Sequence, residues 1–138
     1  MKNTMKNTMK NLYDAYDAAG FWEALDILAA ESPVVIDRPK GCPHPKHREL
    51  IYPLDYGYLQ ETAAMDGEGV DVWLGSRQEK ILDAVVCVVD LAKRETELKL
   101  LMGCTEEEKE AVYRFHNQTG QMKGLLILRP AIYSRPQK

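Results

Sequence analysis

The sequence predicts an α+β domain built on a small barrel or strongly curved sheet. Two observations carry this expectation. Short apolar runs of strand length, rich in β-branched residues and separated by turn signals, fill the middle of the chain. A segment of helical period stands toward each end, so helices flank the strands. At 138 residues the chain is one domain's worth, and with 45% hydrophobic and 28% charged residues it can bury a core without a disulfide or metal staple.

Residues 1 to 11, MKNTMKNTMKN, repeat a polar, basic four-residue unit that has no apolar face. Such a tail cannot repay its ordering entropy, so disorder is expected there and a single domain over residues 12–138. Residues 12 to 31 place Phe21, Trp22, Leu25 and Leu28 at helical spacing, with Gly20 dividing the segment into two helical pieces. Val34, Val35 and Ile36 read as a buried strand ended by Pro39. Residues 39 to 48, PKGCPHPKHR, hold three prolines and a glycine and form a loop. Leu50 and Ile51 start a second short strand that runs into YPLDYGYL. A DGEG turn at 66 to 69 leads to Val70, Val72 and Leu74, which alternate as a half-buried strand should. Two more strands are expected around residues 81 to 89 and 97 to 102. Thr105 with Glu108 forms a capping box for the helix EEEKEAVYRFHNQ, and Gly120 is its natural stop. KGLLILR, residues 123 to 129, reads as a last strand.

The net charge of −3 removes the electrostatic footprint of a nucleic-acid binder. It averages unlike parts: residues 1 to 11 contribute three lysines and no acid, so the remaining 15 bases and 21 acids sum to −6. Three cysteines without a C-x-x-C spacing build neither a disulfide framework nor a zinc ribbon. No signal-peptide core and no membrane-spanning apolar run is visible. The expectation is a soluble, cytoplasmic protein with a small-molecule partner, no nucleic acid and no membrane.

Charge is concentrated at two places. Between residues 38 and 48 stand Arg38, Lys40, Lys46 and Arg48 with His44 and His47, and no carboxylate. Between 66 and 71 stand Asp66, Glu68 and Asp71, and no base. Convergent acids repel one another unless a cation lies among them, and hard oxygen ligands suit Mg²⁺ or Mn²⁺. Opposed Arg and Lys would hold the remaining phosphate charge, so the pair points to metal-assisted phosphoryl chemistry. Cys42, His44 and His47 offer a competing zinc constellation, but no fourth ligand stands nearby.

These residues also carry a resemblance. YPLDYGYL, residues 52 to 59, followed by DGEGVDVWLG, residues 66 to 75, is similar to the signature of the soluble inorganic pyrophosphatase family. VVIDRP resembles the family's early strand, which ends in an acid and a proline, and Asp90 with ELKL at 97 to 100 resembles its later metal-binding acids and phosphate-binding lysine. The resemblance implies a five-stranded closed barrel of the oligonucleotide-binding type with flanking helices, and a homo-oligomer. It implies Mg²⁺-dependent hydrolysis of pyrophosphate by a metal-activated water, with Asp66, Asp71 and Asp90 as metal ligands and Asp37 and Glu97 as further metal-binding acids. Glu68 takes the water's proton, and Tyr56, Lys99 and a basic residue among Arg38, Lys40, Lys46 and Arg48 bind phosphate. The chain departs from the family at Glu68, where an aspartate is usual, and at Gly69, which replaces a proline and loosens the turn. It departs again at His116 to Gln118, which stand in place of a Tyr-Lys pair. These departures leave open a binding homologue without turnover, or a hydrolase of another phosphoanhydride such as a nucleotide.

Overall fold

The computed structural model describes residues 18–64 and 67–130. The basic repeat, residues 12–17 of the first predicted helical piece and Asp66 therefore lie outside the described residues. The chain divides into two units, Ser32–Arg129 and the segments on either side of it.

In the flanking unit, helix α1 spans Ala18–Ala30. Gly20 sits inside its first turn and does not break it, because one glycine costs a helix only about 1 kcal/mol. Trp22 is buried and Leu25 and Leu28 are half-buried on the expected stripe. Phe21 is exposed, with its ring edge-on to Trp22.

The unit Ser32–Arg129 contains β1 (Val34–Arg38), β2 (Asp55–Leu59), β3 (Asp71–Leu74), β4 (Leu82–Asp90), β5 (Glu95–Met102), α2 (Glu106–Phe115) and β6 (Met122–Leu128). The strands make one six-stranded sheet in the order β1-β2-β3-β5-β4-β6. Only β3 and β5 run parallel. The α+β class is as expected, but the five-stranded closed barrel is not: β1 and β6 are the sheet's two edges among the described residues. Strand β6 pairs with β4 from Ala84 to Asp90 and so takes the side of β4 that a smaller closed sheet would have used.

Local chemistry explains the elements. Gly57 in β2 is obligatory, because a Cβ there would lie 1.8 Å from the Val35 carbonyl oxygen on β1. Strand β3 is covered on both faces, with Val72 and Trp73 both buried, so its expected alternation gives way to a continuous apolar run. The segment at Leu50 and Ile51 forms only an isolated bridge, Ile51 to Pro43. It closes the proline loop as an irregular hairpin through Gly41 N–H to Tyr52 O and Tyr52 N–H to Cys42 O. The three cysteines are free thiols.

Helix α2 has the predicted capping box: Thr105 Oγ1 accepts from Glu108 N–H, and Glu108 Oε1 accepts from Thr105 N–H. It ends at Phe115, earlier than Gly120, with His116 as C-cap. Asn117 ends it by donating to the Tyr113 and Gly124 carbonyls and accepting from Gly124 N–H, which ties the helix end to β6. The buried Lys109 holds the helix to β4 through Asp83 at 3.0 Å. Val112 and Phe115 from α2 join Tyr52, Trp73, Val86 and Leu101 in one core cluster. Among the described residues no helix is long and apolar enough to cross a membrane.

Candidate functional site

Side chains on a strand alternate between faces, so residues two apart share one. Glu97 and Lys99 on β5 meet Tyr56 on β2 and Asp71 on β3 in this way, and Asp90 at the end of β4 lines the same cleft. Strand β1 contributes two consecutive residues, Asp37 and Arg38. This is possible because the β1–β2 register shifts between Ile36 and Arg38, so Asp37 is the extra residue of a β-bulge. Lys46 from the proline loop and Glu68 from the acidic turn also line this cleft, which holds about 390 Å³. Lys40 and Arg48 do not line it: the Lys40 backbone N–H is bound to Asp55, and Arg48 is exposed.

Lys99 organises the interior of the cleft. Its ammonium donates to Tyr56 Oη at 2.7 Å, to Asp71 Oδ2 at 2.7 Å and to Glu97 Oε1 at 2.9 Å. Burial disfavours that charge, but Tyr56 and Asp71 outweigh it and hold Lys99 above the ordinary lysine value. Burial pushes the Tyr56 phenol up, so it stays protonated as a hydrogen-bond donor. Arg38 Nη1 donates to Tyr52 Oη, and its guanidinium lies 5.5 Å from the Tyr52 ring centre.

Behind these groups stands an aromatic wall. Tyr56 and Trp73 lie 4.6 Å apart, and Tyr52 and Phe115 lie 4.9 Å apart. Trp73 Nε1–H donates to His116 Nε2 at 3.0 Å. Burial, with a smaller contribution from Lys99, lowers His116 to about 3, so the imidazole is neutral and serves as an acceptor.

The carboxylates of the cleft are hard oxygen donors, and two of them, Asp71 and Glu97, already share one cation, the Lys99 ammonium. Among the described residues no three His, Cys, Asp or Glu side chains form a metal-holding group. Mg²⁺ commonly uses one or two carboxylates together with substrate phosphates, so the donor set fits that ion in kind and number. It does not fit zinc at Cys42, His44 and His47, where His44 Nδ1 is already occupied by backbone N–H groups.

Reading the sequence alone missed Tyr52, Lys93, Glu95, Phe115 and His116 as cleft residues. Lys93 and Glu95 sit at the β4–β5 turn and carried no spacing signal. His116 was noted only as standing where a Tyr-Lys pair was expected.

No family model matches the chain, and no curated protein matches it. Among solved structures, one from Anaplasma phagocytophilum described as an inorganic phosphatase is similar at 15% identity and a TM-score of 0.47, over 69% of this chain and 81% of its own.

Proposed function

We propose that the protein hydrolyses a phosphoanhydride, inorganic pyrophosphate in the first instance, with the help of Mg²⁺ or Mn²⁺. The observation that carries this reading is the convergence of Tyr56, Asp71, Glu97 and Lys99 in one cleft that Arg38 also lines. The sequence resemblance to the soluble inorganic pyrophosphatases supports it.

In this reading the Tyr56 hydroxyl binds a non-bridging phosphoryl oxygen, and Lys99 Nζ binds another by exchanging one of its three hydrogen bonds for it. Arg38 offers a planar fork matched to a second phosphoryl group. Glu68 lines the cleft and accepts a proton from the attacking water. Asp71 and Glu97 would hold an ion together with substrate phosphates, and Asp90, Asp37 and Asp66 are the further acids that the resemblance implies for metal binding. When bound, such an ion polarises phosphoryl oxygens and lowers the pKa of water.

The test is phosphate release from pyrophosphate with and without Mg²⁺, beside a nucleoside triphosphate, for wild type and Asp71→Ala. We expect release that needs the metal and falls by about 100-fold or more in the variant, as loss of a group acting on the transition state implies. A second reading, a phosphate-binding protein without turnover, is favoured by one observation: Lys99 already pairs two of the carboxylates a metal would use. It wins if wild type binds pyrophosphate but releases phosphate from no phosphoanhydride faster than Asp71→Ala does.

A further inference from the structure

Besides the Lys99 cluster, the cleft is lined by Arg38, His44, Lys46, His47 and Lys93. Arg38, Lys46 and Lys93 form no ion pair within 4.0 Å among the described residues. They come from three separate parts of the chain, the end of β1, the proline loop and the β4–β5 turn, and they line one cleft with the His44 imidazole, whose charge state their charges influence. Burial, then the charges of Arg38, His47, Lys93 and Lys46, hold His44 below the ordinary histidine value.

The hydrogen bonds of His44 fix where its proton sits. Nδ1 accepts the backbone N–H of Lys46 at 3.1 Å and of His47 at 3.2 Å. A nitrogen that accepts cannot carry hydrogen, so the neutral ring keeps its one N–H at Nε2. The ring plane is also fixed, within 9° of the Tyr52 ring at a centroid distance of 6.1 Å. Tyr52 in turn takes the hydrogen bond of Arg38. The loop thus presents a donor set in tautomer and plane, in a cleft that Arg38, Lys46 and Lys93 also line. Asp37 beside Arg38 and Asp90, which accepts the Lys93 backbone N–H, line the same cleft, but the side chains around Nε2–H that carry charge to an incoming group are cationic, which favours an oxyanion there, and little ordering remains to be paid on binding.

We propose that His44 Nε2–H, with Arg38, Lys46 and Lys93, forms a second anion subsite that takes the phosphoryl group not held at Tyr56 and Lys99. This assignment rests on the phosphoanhydride reading above. It makes His44 and Lys93 substrate-binding residues peculiar to this chain's rebuilt loop and turn.

The test uses the full chain with methylenediphosphonate, a hydrolysis-resistant probe. His44→Asn is the informative variant, because the Asn carbonyl can accept the same two backbone N–H groups and keep the turn while Nε2–H is lost. We expect the wild-type His44 nitrogen resonances to report the Nε2–H form and to shift on adding the probe. His44→Asn should bind it about tenfold more weakly, and Lys93→Met about fivefold, as expected for single charge-assisted contacts. Both should raise KM for pyrophosphate by similar factors and leave kcat within about twofold, the signature of lost ground-state binding. Unchanged affinity in both variants, with His44 resonances unmoved, overturns the proposal. If wild type hydrolyses pyrophosphate and both variants keep its KM, the subsite fails and the hydrolysis reading stands. If the probe binds through His44 but no phosphoanhydride is cleaved, hydrolysis fails and the subsite stands.

Discussion

Acid should unfold this protein partly through one buried imidazole. His116 is 2% exposed, accepts from the Trp73 indole and is lowered to about 3 by burial and then by Lys99. In the unfolded chain it returns to about 6.5. Between these values the unfolded state binds a proton that the folded state refuses, so this contribution is complete above about pH 6.5 and is lost as pH falls toward 3. At pH 4.5 two pH units have been crossed, and at about 1.36 kcal/mol each the loss is about 2.7 kcal/mol. Carboxylates titrate in the same range, so the comparison is with His116→Gln, whose amide oxygen can accept from Trp73 and does not titrate. Urea unfolding of both proteins at pH 7 and pH 4.5 isolates the difference. The gap between wild type and His116→Gln should move by about 2 to 3 kcal/mol in the variant's favour at the lower pH. A gap that does not change with pH would show that His116 is not held neutral by its surroundings, and the argument fails.

The remaining predictions concern the sheet, the helix and the cleft. Gly57→Ala forces a methyl into the Val35 carbonyl and should cost about 3 kcal/mol or more, in line with severe overpacking, read as a lower urea midpoint with loss of the β1–β2 pairing. Thr105→Ala removes the helix α2 cap and should cost about 1 kcal/mol in the same assay with no change in KM. Lys99→Met leaves Asp71 and Glu97 facing each other without their shared cation. Because both carboxylates keep some exposure, the cost should lie near the lower end of the range for broken buried pairs, about 3 kcal/mol at pH 7. Mg²⁺ should raise the melting temperature of Lys99→Met more than that of wild type, since the ion can take the ammonium's place, and equal shifts would count against a metal at these two acids.

What the sequence disclosed followed from how local the signal was. The capping box at Thr105 and Glu108, the strand at Val34 to Ile36 and the last strand were legible because period, cap and turn chemistry lie within a few residues, although Val34 to Ile36 are half-buried at the sheet edge and not buried as expected. The end of α2 was misplaced because Gly120 is a generic stop, whereas the stop in the fold is Asn117 bonded across to Gly124 on β6. Gly69 was expected to loosen its turn, yet an added Cβ would lie 2.7 Å from the Tyr58 ring, so the residue answers a close approach. The acidic and basic stretches announced a site through Arg38, Lys46, Glu68 and Asp71, and the resemblance added Asp37, Tyr56, Asp90, Glu97 and Lys99, which line the same cleft. Which loop cation reaches it depended on a backbone path that composition does not encode: Lys46 does, and Lys40 and Arg48 do not. Lys93 and His116 entered by strand pairing and helix packing, which a single sequence does not display.

The bulge at Asp37 also affects how the molecule behaves in a crowded solution. Strand β1 is an edge of the sheet, and a flat edge of β-branched residues is a template on which another chain can add. One extra residue breaks the repeat of that edge while turning two consecutive charged side chains into the cleft. Deleting residue 37 would straighten the edge and withdraw an acid from the cleft in one step. Resistance to strand addition and the aim of the cleft's charges therefore reside in the same inserted residue.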